Sequence, residues 1–308
     1  MKSILITGGS GLIGKQLKNI LLTNNYQILI LTRYPEKISK QEGITVIKWD
    51  IKKNIIDSEK LKSVCGIVHL SGANIGKGKW TKKRKRDIYD SRILSTRFLY
   101  ETIKQNNTTL DFFISASAIG YYGTLTSNKE FSESSPNGND FLASLCQDWE
   151  IEAQKFNSIS KRVVILRTGV VFSKIGGALP KIILPIKYFL GGPIGSGNQI
   201  VPWIHIDDIS RMYQFAIENN LRGIYNAVVT SEEQPTNKLL GQEIANTIKR
   251  PYVFPKIPGF IFKLFFGEMA CILLEGTKIN NDKIIDSKFK FNLPNLKLSL
   301  KDILLKSS

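Results

Sequence analysis

Histidine and cysteine are scarce in this chain of 308 residues, with two copies of one and three of the other. His69 and His205 are too few and too far apart to build a metal centre, so no metal site is expected. Cys65, Cys146 and Cys271 share no metal-like spacing and read as buried thiols in a reducing, cytoplasmic setting. Long apolar runs are missing too. The longest, residues 259–274, is interrupted by Lys263 and Glu268 and does not reach the ~18 apolar residues that span a bilayer. It reads as an amphipathic or buried helix, and no membrane partner is expected. Met1 and Lys2 run straight into a strand pattern, which leaves no room for a leader peptide.

Acidic residues are outnumbered, 26 against 43 Lys and Arg, giving a formal charge of +17. Such an excess fits an anionic partner (nucleic acid, a membrane surface or a phosphorylated ligand) or a lysine-rich bias spread over the surface. The densest run, KGKWTKKRKR over residues 77–86, holds one aromatic, Trp80. It reads as a solvated helix start or a loop facing an anion. No helix-turn-helix, zinc-finger or aromatic RNA-binding pattern accompanies it, so nucleic acid is not the leading partner. A hydrophobic share of 42% is ample for the core of one large domain or two coupled ones.

The first half alternates apolar strands, at 3–7, 27–32, 45–48, 66–70, 111–115 and 162–167, with helical stretches at 12–23, 83–105 and 140–156. This is the pattern of a parallel sheet covered on both faces. Ile88, Ile93, Leu94, Phe98, Leu99 and Ile103 recur near the helical period and predict one long helix over 83–105. Residues 124–139 are polar and read as a surface loop. Beyond Arg167, glycines break the chain around an apolar helix at 179–190, and strand-like pieces at 201–206 and 223–229 bracket a helix at 208–219. Trp203, His205 and Asp207 alternate on one face of the first piece, where His205 suits a structural hydrogen bond. The predicted class is α/β: a doubly wound parallel sheet over residues 1–169, to which segments near 201–229 return, and a smaller, mixed substrate-side domain over 170–308.

The sharpest motif is Gly8-x-x-Gly11-x-x-Gly14, set between a strand and a helix. Gly8 permits the tight turn, Gly11 lets the backbone approach a pyrophosphate, and Gly14 lets the helix pack closely on the sheet. The helix start, with Ser10, Leu12 and Ile13, then offers free N–H groups and partial positive charge to phosphates. The second strand ends on Thr32-Arg33 with no acid to accept from a ribose 2′-hydroxyl. Arg33 suits a 2′-phosphate instead, so NADP is favoured over NAD. Asp50, after the third strand, suits either the adenine or a cap. Thr168 follows the sixth strand at its carboxyl end, where ligands bind in such sheets.

These residues, with further blocks in order, resemble the extended short-chain dehydrogenase/reductase family. The blocks are His69-Leu70-Ser71-Gly72-Ala73-Asn74, the SASAIGYYG stretch from Ser115 to Gly123, and Trp203-Ile204-His205-Ile206-Asp207-Asp208. Trp80-Thr81, Ser91-Arg92, Trp149-Glu150 and Leu274-Glu275-Gly276 are similar to an atypical branch of epimerase-like proteins known as nucleoside-diphosphate-sugar epimerases. The resemblance spans nearly the whole chain. It implies a Rossmann-type fold, NADP as cofactor with Leu70, Gly72 and Ala73 along it, and a small polar or nucleotide-linked substrate.

In that family a Ser or Thr holds the substrate hydroxyl, and a Tyr followed four residues later by Lys moves its proton. Ser117 fits the serine position. Residues 140–152, where the pair belongs, contain neither Tyr nor Lys. Two readings stay open. Either Tyr121 or Tyr122 supplies the phenol from a different backbone position and the protein is an oxidoreductase or epimerase, or it binds NADP(H) without turnover as a responsive, regulatory protein. Trp80 and Arg92 are the candidates for substrate contact, by stacking and by pairing with an anionic group; packing and surface pairing are their plainer roles.

Overall fold

The computed structural model describes residues 2–305. Its strands are β1 (Ser3–Thr7), β2 (Gln27–Thr32), β3 (Ile44–Asp50), β4 (Ile55–Ile56), β5 (Val64–His69), β6 (Phe112–Ala118), β7 (Glu130–Phe131), β8 (Val163–Thr168), β9 (Val170–Phe172), β10 (Trp203–His205), β11 (Gly223–Ala227) and β12 (Lys278–Ile279). The helices are α1 (Leu12–Thr23), α2 (Lys82–Asp90), α3 (Ile93–Gln105), α4 (Phe141–Gln154), α5 (Leu179–Lys187), α6 (Ile206–Glu218), α7 (Asn237–Thr247), α8 (Gly259–Phe266), α9 (Cys271–Leu274), α10 (Asp282–Asp286) and α11 (Leu296–Leu305).

One sheet runs β11-β8-β6-β5-β1-β2-β3-β4, parallel throughout except for β4 against β3. Both faces are covered, which is why its strands read as unbroken apolar runs. Along β1, Ile4 and Ile6 face a core shared with Leu17 and Leu21 of α1 and Ile209 and Met212 of α6. Leu5 faces the opposite core, with Leu99 and Ile103 of α3. Strand order reverses beside β1, with β2 and β3 on one side and β5, β6, β8 and β11 on the other. That reversal opens a crevice at the carboxyl ends of β1 and β5. β9 and β10 pair in a separate two-stranded sheet, packed with α5, α7 and α11 through Phe172, Trp203, Leu240 and Leu300.

The structure corrects several expectations. The long helix over 83–105 is two helices, broken at Ser91 and Arg92. Ser91 Oγ donates to Ile88 O and accepts from the Ala73 N–H, and the Arg92 guanidinium also takes Ile88 O. These side chains compete with the helical ladder to bind a loop. β10 stops at His205, so Asp207 lies in the first turn of α6 instead of alternating with Trp203. His205 Nδ1 caps that turn by accepting from the Asp207 N–H. The helix from 179 ends at Lys187, ahead of Phe189 at φ +64. Residues 259–274 do not form a buried helix: α8 buries no side chain, and the chain turns at Gly267 with φ +60. Only Cys146 is a buried thiol, Cys65 and Cys271 being half-buried. Among the described residues no helix is long and apolar enough to cross a membrane.

Candidate functional site

The turn between β1 and α1 lies at the strand-order reversal. Gly8 holds φ +70, and a Cβ there would meet the Leu70 carbonyl group at 2.8 Å. A Cβ on Gly14 would stand 2.4 Å from Gly8 O and 2.7 Å from Gly9 Cα, so helix and turn touch backbone to backbone. The turn closes with the Gly11 N–H donating to Gly8 O at 2.9 Å. No side chain caps Gly11 and no acid occupies the first turn. Among the described residues, nothing accepts from the Leu12 and Ile13 N–H groups. A helix end left uncapped beside a cradle that a single methyl would fill fits a pyrophosphate.

Thr7 fastens this turn to the next loop. Its Oγ1 accepts from the Leu70 and Ser71 N–H groups and bonds His69 Nδ1 at 2.8 Å, while His69 Nε2 meets Thr96 Oγ1 at 3.0 Å. His69 is completely buried, and burial, aided by the nearby Arg92 charge, lowers its pKa from 6.5 to about 3. Between those values the unfolded chain binds a proton that the native chain refuses. Stability is therefore full above pH 6.5 and falls as pH drops toward 3, by roughly 1.4 kcal/mol per unit. Urea unfolding at pH 7.5 and 5.0 is expected to show a loss of about 2 kcal/mol from this group. His69→Gln is expected to shrink the difference, and an unchanged difference in that variant would remove His69 as its source.

At the end of β2, Thr32 Oγ1 accepts from the Tyr34 N–H. Arg33 is exposed, lies 5.6 Å from the Tyr34 ring centroid, and forms no ion pair among the described residues. Of the two roles open to Asp50, the structure displays the cap: Oδ1 accepts from the Lys52 and Lys53 N–H groups. Gly72 lies against the Arg92 guanidinium, whose Nη1 donates to Ala73 O and Ile88 O and whose Cζ lies 5.1 Å from the Trp149 ring. Burial lowers its pKa from 12.5 to about 10. This tether to the loop replaces the expected reach toward a substrate anion. Thr168 is half-buried at the end of β8, its hydroxyl on Leu166 O.

Ser117 and Arg167 are direct neighbours in the β6–β8 register, and α4 brings Glu150 over both. Arg167 donates to the two Glu150 carboxylate oxygens, each at 2.8 Å, and Ser117 Oγ donates to Oε1 at 2.7 Å. Arg167 is 1% exposed and Glu150 4%. Burial alone would depress the Arg167 pKa, yet the Glu150 charge more than offsets it and holds the guanidinium firmly protonated. Arg167 also donates to the Tyr122 hydroxyl at 3.1 Å, which in turn donates to Asn226 Oδ1 at 2.6 Å. Tyr122 is 1% exposed, and burial pushes its pKa up to about 12. Its hydroxyl is enclosed and bonded on both sides, so of the two tyrosines Tyr122 is the less accessible. Tyr121 is half-buried, with the Arg167 Cζ 3.3 Å from its ring centroid. Cys146, also beneath this region, is held as a thiol by burial, its pKa raised to about 12.

Beside α4 opens a cavity of about 500 Å³, bordered by Thr124, Asp140, Phe141, Lys263 and Cys271. Trp80 reaches its wall as a packing residue, 7% exposed, with its indole N–H on Ile75 O and its ring edge-on to Phe141. A second cavity, of about 560 Å³, lies by Val163 and Gly223 where β8 and β11 begin, away from the carboxyl ends that gather the residues above.

Sequence reasoning missed the Glu150–Arg167 pair as a unit. The signal was available: Glu150 falls four residues after Cys146 within the stripe that α4 buries, and Arg167 is the one charged residue of β8.

Comparison with known proteins agrees with this geometry. The model of the NAD dependent epimerase/dehydratase family matches residues 4–227, and that of a domain of unknown function, DUF1731, matches residues 257–303. An epimerase family protein of Staphylococcus aureus (strain MRSA252) is 35% identical over 309 residues, spanning 99% of this chain and 100% of the relative. The human epimerase family protein SDR39U1, solved with NADPH, superposes with a TM-score of 0.85 at 28% identity, covering 99% of this chain and 100% of that one. A nucleoside-diphosphate sugar epimerase from Corynebacterium glutamicum gives 0.76 at 28% identity, covering 98% of this chain and 58% of the other. With its uncapped glycine turn, its Rossmann-type sheet and these matches along its length, the chain belongs to the NAD dependent epimerase/dehydratase family, in the atypical extended short-chain dehydrogenase/reductase branch.

Proposed function

We propose that this protein binds NADP(H) at the β1–α1 turn and catalyses reversible hydride transfer at a carbon of a small polar substrate held beside α4. The observation that carries the reading is the uncapped start of α1 at the strand-order reversal, with Arg33 free of acids at the end of β2. The likeness to a human protein solved with NADPH supports the phosphorylated cofactor.

The N–H groups of Ser10, Leu12 and Ile13 hold the pyrophosphate. Thr32 and Arg33 receive the 2′-phosphate, and the backbone at Leu70, Gly72, Ala73 and Thr168 lines the rest. The dinucleotide supplies the hydride acceptor or donor. Arg92 is a positioning residue that fixes the Gly72–Ala73 backbone through Ala73 O. The Ser117 hydroxyl donates its hydrogen bond to Glu150 and so turns lone pairs, not a donor, to a substrate hydroxyl. Tyr121, whose hydroxyl bonds no described residue, carries the substrate proton. Reduction and epimerisation begin with the same transfer and share these roles.

Arg33→Ala is expected to weaken NADPH binding about 10- to 100-fold, the worth of a charge-assisted contact, and to leave NADH binding unchanged. Calorimetry with both dinucleotides checks this; equal losses for the two would refute the role of Arg33. On a panel of sugar nucleotides and small carbonyl compounds, Tyr121→Phe is expected to lower kcat by about 10²–10⁴-fold with NADPH affinity unchanged. A second reading, a non-catalytic NADP(H)-responsive protein, draws on the lack of Tyr and Lys along residues 140–152 and on the enclosed Tyr122 hydroxyl. Tight NADPH binding without turnover on any panel member would favour it.

A further inference from the structure

Two features lie outside the cofactor and substrate chemistry: the excess positive charge and an exposed apolar helix. The structure brings them together. α8, sequence GFIFKLFF, buries no side chain, and Phe260, Leu264 and Phe265 are each more than 60% exposed. Beyond α5, Tyr188 is 68% exposed and Phe189 56%. Monomeric proteins rarely leave contiguous apolar surface of this kind open to water.

Direct contacts tie the surrounding segments to one side of the molecule. The Phe254 N–H donates to Gly191 O, and the Arg250 guanidinium lies 5.2 Å from the Phe189 ring centroid. Lys79 Nζ donates to Leu264 O on α8, Lys85 pairs with Glu268, and Lys181 Nζ donates to Gly76 O. Residues 77–86, 174–190 and 249–267 hold seven, three and four Lys or Arg respectively, and not one Asp or Glu. Apart from Glu268 at their edge, which closes on Lys85, these segments carry no acids, and a cationic frame around protruding aromatics is complementary to a negatively charged, water-to-hydrocarbon boundary.

We infer that α8 and the basic segments beside it form a docking face for anionic lipid bilayers, which the protein binds peripherally: the α8 aromatics enter the headgroup layer while the lysines face lipid phosphates. The outward side of α8, Phe260, Leu264 and Phe265, carries this docking, and none of the three borders the cavity beside α4 that Lys263 reaches.

Vesicle flotation of the full chain tests it, with phosphatidylcholine alone against phosphatidylcholine containing about one-third phosphatidylglycerol. Binding is expected for the anionic vesicles, at least about tenfold stronger than for the neutral ones, and lost at high salt. Phe260→Ser/Leu264→Ser/Phe265→Ser is expected to lower it at least about tenfold, and Lys83→Glu/Lys256→Glu likewise, with unfolding midpoints and NADPH affinity unchanged as the control on folding. Failure to bind anionic vesicles at low salt overturns the inference. So does binding that the serine variant leaves intact, or a serine variant that only converts a dimer to a monomer, which would make the face a contact between copies.

Discussion

Glu150→Ala is expected to destabilise the protein by about 3–5 kcal/mol, the usual consequence of leaving one member of a buried ion pair without its partner. Arg167 is 1% exposed and sits between β8 and α4. Without Glu150 its charge keeps only the Tyr122 hydroxyl and Glu133 O as acceptors. Ser117 loses its acceptor at the same moment. For a chain of this size the thermal midpoint should fall by roughly 1.5 °C for each kcal/mol. Replacing both partners, as Glu150→Leu/Arg167→Met, should recover much of the loss, because well-packed apolar side chains of similar volume remove both desolvation penalties together. Glu150→Gln should lie between, retaining hydrogen bonds without charge. The measurement is a double-mutant cycle in denaturant. A cycle in which the double variant loses the sum of the two single losses would mean that the pair is not a coupled unit.

That pair also marks where sequence reading ends. Strand and turn patterns are local, and they identified the β1–α1 turn, the alternation across the sheet and the acid-free end of β2, because each depends on residues adjacent in the chain. The Glu150–Arg167–Ser117 contact depends on register between β6 and β8 and on which turn of α4 lies above them. Period alone does not set that register. The broken helix at Ser91 is a similar case. Its apolar spacing continues through the break, and the loop at Ala73, eighteen positions before Ser91, holds the Ser91 hydroxyl and the Arg92 guanidinium where the Arg92 N–H shifts to Tyr89 O. Tyr121 and Tyr122 are equivalent as letters; the tight 3₁₀ turn that carries them sends one ring into the core toward Asn226 and leaves the other half-buried over Arg167. Apolarity left α8 open between an amphipathic and a buried helix, and the structure lays it on the surface. Hydrophobic content shows that a segment seeks an apolar partner, and not that the partner belongs to the same chain.

Gly14→Ala should abolish tight NADPH binding while leaving a folded protein. The added methyl would stand 2.4 Å from Gly8 O and 2.7 Å from Gly9 Cα, both main-chain atoms held by the turn and by the packing of β1. No rotamer change can relieve it, so α1 must move off the turn. That motion carries the Leu12 and Ile13 N–H groups away from the positions that the pyrophosphate requires. Phosphate recognition depends on several such donors converging within tenths of an ångström. A loss of at least about 100-fold in affinity is therefore expected, equivalent to some 3 kcal/mol, with a smaller stability loss of about 1–3 kcal/mol from overpacking. Gly11→Ala provides the comparison. Its methyl would meet only Gly8 O, at 3.1 Å, a contact that a shift of a few tenths of an ångström relieves, so a smaller stability loss should follow, while affinity still falls because the methyl stands where the backbone must approach the pyrophosphate. Titration of NADPH fluorescence on both variants ranks them. If Gly14→Ala bound NADPH within about threefold of the parent, well under 1 kcal/mol, the backbone contact between helix and turn would not be what shapes the cradle, and the dinucleotide would have to lie elsewhere.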